Sequence, residues 1–191
     1  MVPLVVCIDG IIGAGKSTLM EKLAARYPSF PEPVSEWYML ENFYKDGKVY
    51  GLPFQLEVLL SQFRQSRRFP TEGLVVVERC PETSFRVFAP LVLQEREDLL
   101  IYELAWKKFN YPVDCFIYLD VDPKVAFRRI RNRSEVDATI SLEYLKRLRE
   151  QYLLVDFSTP PIIVDAERSL AEVEKEVIDI IDSFVKKKTF N

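Results

Sequence analysis

Histidine is absent from the 191 residues. That absence removes Ser–His hydrolases and His-ligated metal centres, and it leaves Asp and Glu as the natural general bases near neutral pH. Cysteine is scarce: Cys7, Cys80 and Cys115 make an odd count without a CxxC pair, which argues against a disulfide framework and against a zinc site. Cys7 and Cys115 lie inside apolar runs and read as small buried hydrophobes. A basic excess is lacking too. With 26 Lys and Arg against 29 Asp and Glu, the net charge is −3. Proteins that clamp nucleic acid depend on neutralising phosphates, so no nucleic-acid partner is expected. There is no long hydrophobic run. Val2–Ile8 is apolar, but it is too short for a span and has no basic leader, so no membrane partner is expected and the expected compartment is the cytoplasm.

What is present fits one α/β domain over residues 1–191. The 48% hydrophobic content is ample for one core, and 29% charged residues is typical of a soluble protein. Short runs of Val, Ile and Leu without polar alternation predict buried strands at Leu4–Ile8, a stretch leading to Val34, Leu74–Val77, Phe116–Leu119 and Ile162–Val164. Between them, helical patterns run over Lys16–Arg26, Pro53–Phe69, Glu82–Leu93, Glu97–Phe109, Pro123–Arg131, Leu142–Val155 and Leu170–Lys187. Alternation of this kind predicts a five-stranded parallel sheet with helices on both faces. In Glu97–Phe109, the apolar residues Leu100, Ile101, Leu104, Ala105 and Trp106 read mainly as core. Asn132–Thr139 is polar without an apolar period and reads as a loop.

Gly10-Ile11-Ile12-Gly13-Ala14-Gly15-Lys16-Ser17-Thr18 matches GxxxxGK[ST] in full, between a predicted buried strand and a predicted helix. Glycines let successive N–H groups turn toward phosphate oxygens, and the helix N-terminus adds partial positive charge. Lys16 is expected at the β- and γ-phosphates and the Ser17 hydroxyl on Mg²⁺. A P-loop alone leaves the acceptor open. Glu32 sits between Pro31 and Pro33 after the second predicted strand, at the carboxyl end of the sheet where ligands of open α/β folds bind.

From here the chain resembles the deoxynucleoside kinases along nearly its whole length. Pro31-Glu32-Pro33-Val34 with Trp37 is similar to that family's PEPVxxW segment. Tyr44-Lys45-Asp46 and Pro53-Phe54-Gln55 resemble the stretch with its sugar-binding tyrosine and base-binding glutamine. Glu78-Arg79-Cys80 resembles its ERS motif, and Arg129 to Ser134 its arginine-rich lid, here about residues 129–139. The resemblance implies a P-loop kinase fold, transfer of the γ-phosphate of ATP to a deoxynucleoside 5′-hydroxyl, Mg²⁺ as cofactor, and pairing into a homodimer through helices near 97–109.

It also implies roles. Glu32 would be the general base, with Arg79 and Lys16 completing the catalytic set. Glu78 would join Ser17 on the metal. Gly10, Gly13, Ala14, Gly15, Thr18, Arg129, Arg133 and Asp165 would serve the donor nucleotide. Tyr44 would meet the sugar 3′-hydroxyl with Glu135 or Asp137 of the lid. Gln55 would pair with the base edge, with Trp37 and Phe88 packed against the base. Val58, Gln62 and Ser84 occupy specificity positions. Deoxycytidine and deoxyguanosine kinases carry an arginine and an aspartate where this chain has Gln62 and Ser84, so an uncharged, pyrimidine-leaning pocket is expected. Cys80 in place of the motif's serine departs from the pattern without touching its glutamate or arginine. The rival expectations are a thymidylate-type monophosphate kinase, which would want cations where Glu32 stands, and a P-loop switch protein, which would want switch loops instead of a nucleoside pocket.

Overall fold

A computed structural model describes residues 3–131 and 139–189. Five strands form one parallel sheet in the order β2-β3-β1-β4-β5, with β1 at Leu4–Gly10, β2 at Ser29–Phe30, β3 at Leu74–Glu78, β4 at Cys115–Asp120 and β5 at Pro161–Asp165. The central strands are sealed: Val6, Cys7, Ile8, Val75, Val76, Val77 and Ile117 have no exposed surface. That is why they read as unbroken apolar runs. Cutting Ile8 or Ile117 back to Ala would cost about 2–5 kcal/mol.

Helices connect the strands. They are α1 (Lys16–Leu23), α2 (Leu40–Lys45), α3 (Gly47–Ser66), α4 (Pro81–Thr83), α5 (Ala89–Val92), α6 (Arg96–Phe109), α7 (Pro123–Ile130), α8 (Leu142–Leu154) and α9 (Leu170–Thr189). α1 packs on α9, and α3 packs on α6.

Four expectations need correction. The second strand ends at Phe30, and Val34–Glu36 is one 3₁₀ turn. Pro31 and Pro33 have no N–H to give a ladder, so the strand cannot continue to Val34. The third helix starts at Gly47, not at Pro53: the Asp46 carboxylate accepts from the N–H groups of Lys48 and Val49 and caps it there. Leu100, Ile101 and Leu104 of α6 are exposed rather than core, and Tyr102 is the α6 residue that is fully buried.

Glu82–Leu93 is also not one regular helix. Ser84–Phe88, between α4 and α5, widens into a π-helical segment, a distortion often found where a helix wall shapes a binding site.

Strand register positions the chemistry. Ile8 pairs with Glu78, and Gly10 pairs with Leu119. Glu78 and Arg79 therefore emerge beside the start of the P-loop. Ser29 and Phe30 pair with Val76 and Val77 on the other side of β3, which delivers Glu32 to the same edge.

Candidate active site

The P-loop is built on glycine geometry. Gly13 has φ of 87°, and a Cβ there would lie 2.7 Å from the Ala126 carbonyl oxygen and 2.9 Å from Ile130 Cγ2. Only a bare backbone fits against α7. Gly15, at the N-terminus of α1, has φ of 97° with open space where a Cβ would be, so conformation and not crowding requires glycine there. Lys16 is buried beneath the loop and donates to the carbonyl oxygens of Gly10 and Ile11, both at 3.0 Å. Burial, followed by repulsion from Arg79, lowers its pKa to about 8. Its ammonium is thus held inside the curl of backbone that faces phosphate.

Three carboxylates and one guanidinium converge beside it. Arg79 Nη1 donates to Glu32 Oε2 at 2.5 Å, and both side chains are less than a tenth exposed. Arg79 takes a left-handed backbone, φ 62°, rare for a residue with a side chain. Its guanidinium lies 4.7 Å above the Phe88 ring. Ser17 Oγ donates to Glu78 Oε1 at 3.0 Å, and the Glu32 backbone N–H reaches Glu78 Oε2 at 3.3 Å. Burial, reinforced by the nearby Glu32 charge, raises the Glu78 carboxyl above the ordinary carboxylate range.

Asp9 is fully buried below this group. Its carboxylate accepts from the Tyr152 hydroxyl at 2.6 Å, the Thr83 hydroxyl at 2.5 Å and the Gly10 N–H at 2.8 Å. Burial raises its pKa, opposed first by Arg79. Sequence reasoning passed over Asp9, Thr83 and Tyr152. The available signal was an acid inside an otherwise apolar strand, one residue before the first P-loop glycine.

A cleft opens from Glu32 and Arg79. Trp37, Tyr44, Gln55, Val58, Ser84 and Phe88 line it, as expected, together with Tyr144. Trp37 is fixed by donating Nε1–H to Ser61 Oγ at 2.9 Å and by edge contact with Phe54. The Gln55 side chain is buried with its Oε1 unpartnered, which suits a group that waits for a donor. Gln62 stands one layer behind this wall. Its Oε1 accepts from Ser84 Oγ at 3.3 Å, and its Nε2 is unpartnered.

On the other side of the P-loop, a second cleft is lined by Gly13, Ala14, Gly15, Thr18, Arg129 and Arg168. Arg129 is braced on the Ala166 carbonyl oxygen at 3.0 Å. Asp165 is not brought to this wall. It is exposed, and its Oδ1 accepts from the Glu167 N–H at 2.9 Å in the turn after β5. Ala166 and Arg168 take the wall positions instead. Arg133, Glu135 and Asp137, with most of the expected lid, lie outside the described residues.

Two clefts meeting at a lysine-bearing phosphate loop, with a carboxylate–arginine pair at the junction, form a site for phosphoryl transfer between a nucleotide and a hydroxyl acceptor. Comparison with known proteins agrees. The chain is 39% identical over 191 residues to a kinase-named protein, 143R, of Invertebrate iridescent virus 6, covering 95% of this chain and 98% of that one. It is 31% identical over 204 residues to the thymidine kinase of Ictalurid herpesvirus 1, covering 93% and 86% respectively. Among solved structures, deoxyadenosine kinase from M. mycoides, with dCMP and dCDP bound, superposes with a TM-score of 0.79 at 25% identity, covering 94% of this chain and 99% of that one. Residues 6–187 match the sequence model of one family, and the chain belongs to it: it is a member of the deoxynucleoside kinases, ATP-dependent enzymes with the P-loop kinase fold.

Proposed function

We propose that the acceptor is a pyrimidine deoxynucleoside, with thymidine, deoxyuridine and deoxycytidine preferred over purines, and that Glu32 takes the proton of its 5′-hydroxyl. The 2.5 Å contact between Glu32 and Arg79 at the junction of the two clefts carries this reading. It sets a base and a cation where the hydroxyl oxygen would sit, and it leaves the base-binding end of the cleft without formal charge.

In this reading the reaction runs mostly on positioning and charge. Lys16 and the P-loop amides hold the β- and γ-phosphates, and Arg129 approaches from α7. Glu32 accepts the proton as the oxygen attacks, while Arg79 holds that oxygen and Glu32 in register. Tyr44 meets the sugar, Gln55 meets the base edge, and Trp37, Val58 and Phe88 pack on the base. Ser17 Oγ and Glu78 Oε1, 3.0 Å apart, are hard oxygen donors of the type Mg²⁺ takes. They would hold the ion, which supplies charge neutralisation on the phosphate oxygens.

Gln62 and Ser84 support the base preference. Where deoxycytidine and deoxyguanosine kinases have an ion pair, this chain has one neutral hydrogen bond. The M. mycoides structure with dCMP supports a cleft of this shape admitting cytosine. The exposed Leu100, Ile101 and Leu104 on α6 support pairing of two copies through that helix. No helix of the described residues is long and apolar enough to cross a membrane, and the cytoplasm is the proposed compartment.

The test is a phosphorylation assay with ATP and Mg²⁺ against each of the four deoxynucleosides, deoxyuridine and thymidylate. Pyrimidine deoxynucleosides turning over fastest is the expected result. Turnover of purine deoxynucleosides alone overturns the base assignment, and turnover of thymidylate alone moves the acceptor to a monophosphate.

A further inference from the structure

Asp9 has no part in the chemistry described so far, yet four N–H and O–H groups converge on it, with the Cys7 thiol 4.0 Å from Oδ2. The Gly10 N–H and the Tyr152 hydroxyl both donate to Oδ1, at 2.8 and 2.6 Å, and the Thr83 hydroxyl donates to Oδ2 at 2.5 Å. Arg79 Nε lies 3.6 Å from Oδ1 and has no hydrogen-bond partner of its own. These groups come from the first P-loop amide, the helix that follows the lid segment, the start of the acceptor-cleft wall, and the arginine that touches Glu32.

We propose that Asp9 is a positioning residue for phosphoryl transfer, acting through Arg79: with Glu32 it brackets the guanidinium between two carboxylates and locks it to the P-loop. The inference rests on the reading of Arg79 and Glu32 given above. Misplacing a reacting group by about 1 Å can cost on the order of a hundredfold in rate, so a brace spanning the phosphate loop and the arginine acts directly on the chemistry. The left-handed backbone of Arg79, φ 62°, persists only if its surroundings hold it. Asp9 and the Ile8 carbonyl oxygen, which accepts the Arg79 N–H at 3.1 Å, provide that hold from β1.

The Gly10 N–H and the Arg79 Nε–H can only donate, so the oxygen that faces them must accept. An asparagine that turned its NH₂ toward them would set donor against donor. In the other orientation its NH₂ meets the Thr83 hydroxyl, which can accept, and what is lost is the negative charge facing Arg79.

The experiment compares Asp9→Asn, Thr83→Val, Arg79→Lys and the Asp9→Asn/Arg79→Lys double variant by steady-state kinetics, with folding checked by thermal melting. Asp9→Asn should lower kcat at least about tenfold with both KM values within about threefold. Thr83→Val, which removes one hydroxyl and keeps the shape, should show the same split at smaller size. The double variant should be no slower than Arg79→Lys, because both changes remove the same brace. Should Asp9→Asn not fold, Thr83→Val carries the test alone. An unchanged kcat in a folded Asp9→Asn or Thr83→Val protein overturns the inference, as do losses that multiply in the double variant. Full activity in Arg79→Lys would instead overturn the underlying reading of the site, and this inference with it.

Discussion

Glu32 and Arg79 are 47 positions apart in the chain and meet at 2.5 Å, nearly sealed from solvent. β2 and β3 are neighbours in the sheet, so the residues that follow them come out side by side. A buried pair of this type stabilises little against a well-packed apolar alternative, but breaking it strands a charge. Arg79→Met should therefore destabilise the protein by about 3–5 kcal/mol, because it removes the guanidinium that lies against both buried carboxylates, Glu32 and Asp9. Urea unfolding of the two proteins at pH 7.5 measures this.

Gly13→Ala tests the fit of the phosphate loop against α7. The added Cβ would meet the Ala126 carbonyl oxygen at 2.7 Å, and backbone is a neighbour that cannot swing away. Strain of about 1–3 kcal/mol is expected, with a KM for ATP that rises more than the KM for the nucleoside. Melting temperature and the two KM values report on it.

The base preference can be probed at the wall behind the cleft. Gln62 and Ser84 are each no more than 2% exposed. Gln62→Arg alone buries a charge without a partner and should lower stability by several kcal/mol. Adding Ser84→Asp supplies the partner. The double variant should recover stability and shift the ratio of deoxycytidine and deoxyguanosine turnover over thymidine turnover upward. A substrate panel run on all three proteins reads the ratio.

The thiols give a pH dependence. Burial pushes Cys115 up to about 11 and Cys7 well above its ordinary value. The folded state thus binds more protons than the unfolded chain between the ordinary thiol value of 9.0 and about 11. This contribution to stability is fully present below pH 9 and is lost as pH rises through 11. Since the thiolate is the reactive form, both residues should resist iodoacetamide in the native protein at pH 9 and react in denaturant. Mass spectrometry of tryptic peptides locates the label.

Much of this could be read from residues in line. The P-loop is local in sequence, and β3, β4 and β5 lie within one residue of their predicted ends, while β1 runs two residues further, to Gly10. β1, β3 and β4 are buried on both faces and so read as unbroken apolar runs, whereas Ile162 and Ile163 of β5, predicted as buried, are exposed. β2 stops short of its predicted end, since two prolines end its ladder before the apolar pattern ends. α3 was placed six residues late because Pro53 resembles a helix start, whereas the Asp46 cap is formed by a side chain whose reach no periodicity shows. The family resemblance singled out Trp37, Tyr44, Gln55, Val58, Ser84 and Phe88, and the fold brings these residues together along one cleft. Asp165 was not brought to the wall of the second cleft: its carboxylate closes its own turn, and the neighbouring Ala166 and Arg168 line the cleft instead. Asp9 stayed invisible for a different reason. Its partners lie 74 and 143 positions away, and nothing near it in the chain announces them.

The central claim is that Glu32 accepts the proton of the acceptor hydroxyl, and Glu32→Gln tests it most directly. The substitution keeps the side chain's size and an oxygen for Arg79 while removing the base. With thymidine, ATP and Mg²⁺, single-turnover phosphorylation should fall at least about a hundredfold, with nucleoside and ATP affinities nearly unchanged. A Glu32→Gln protein that phosphorylates thymidine at the parent rate would contradict the account.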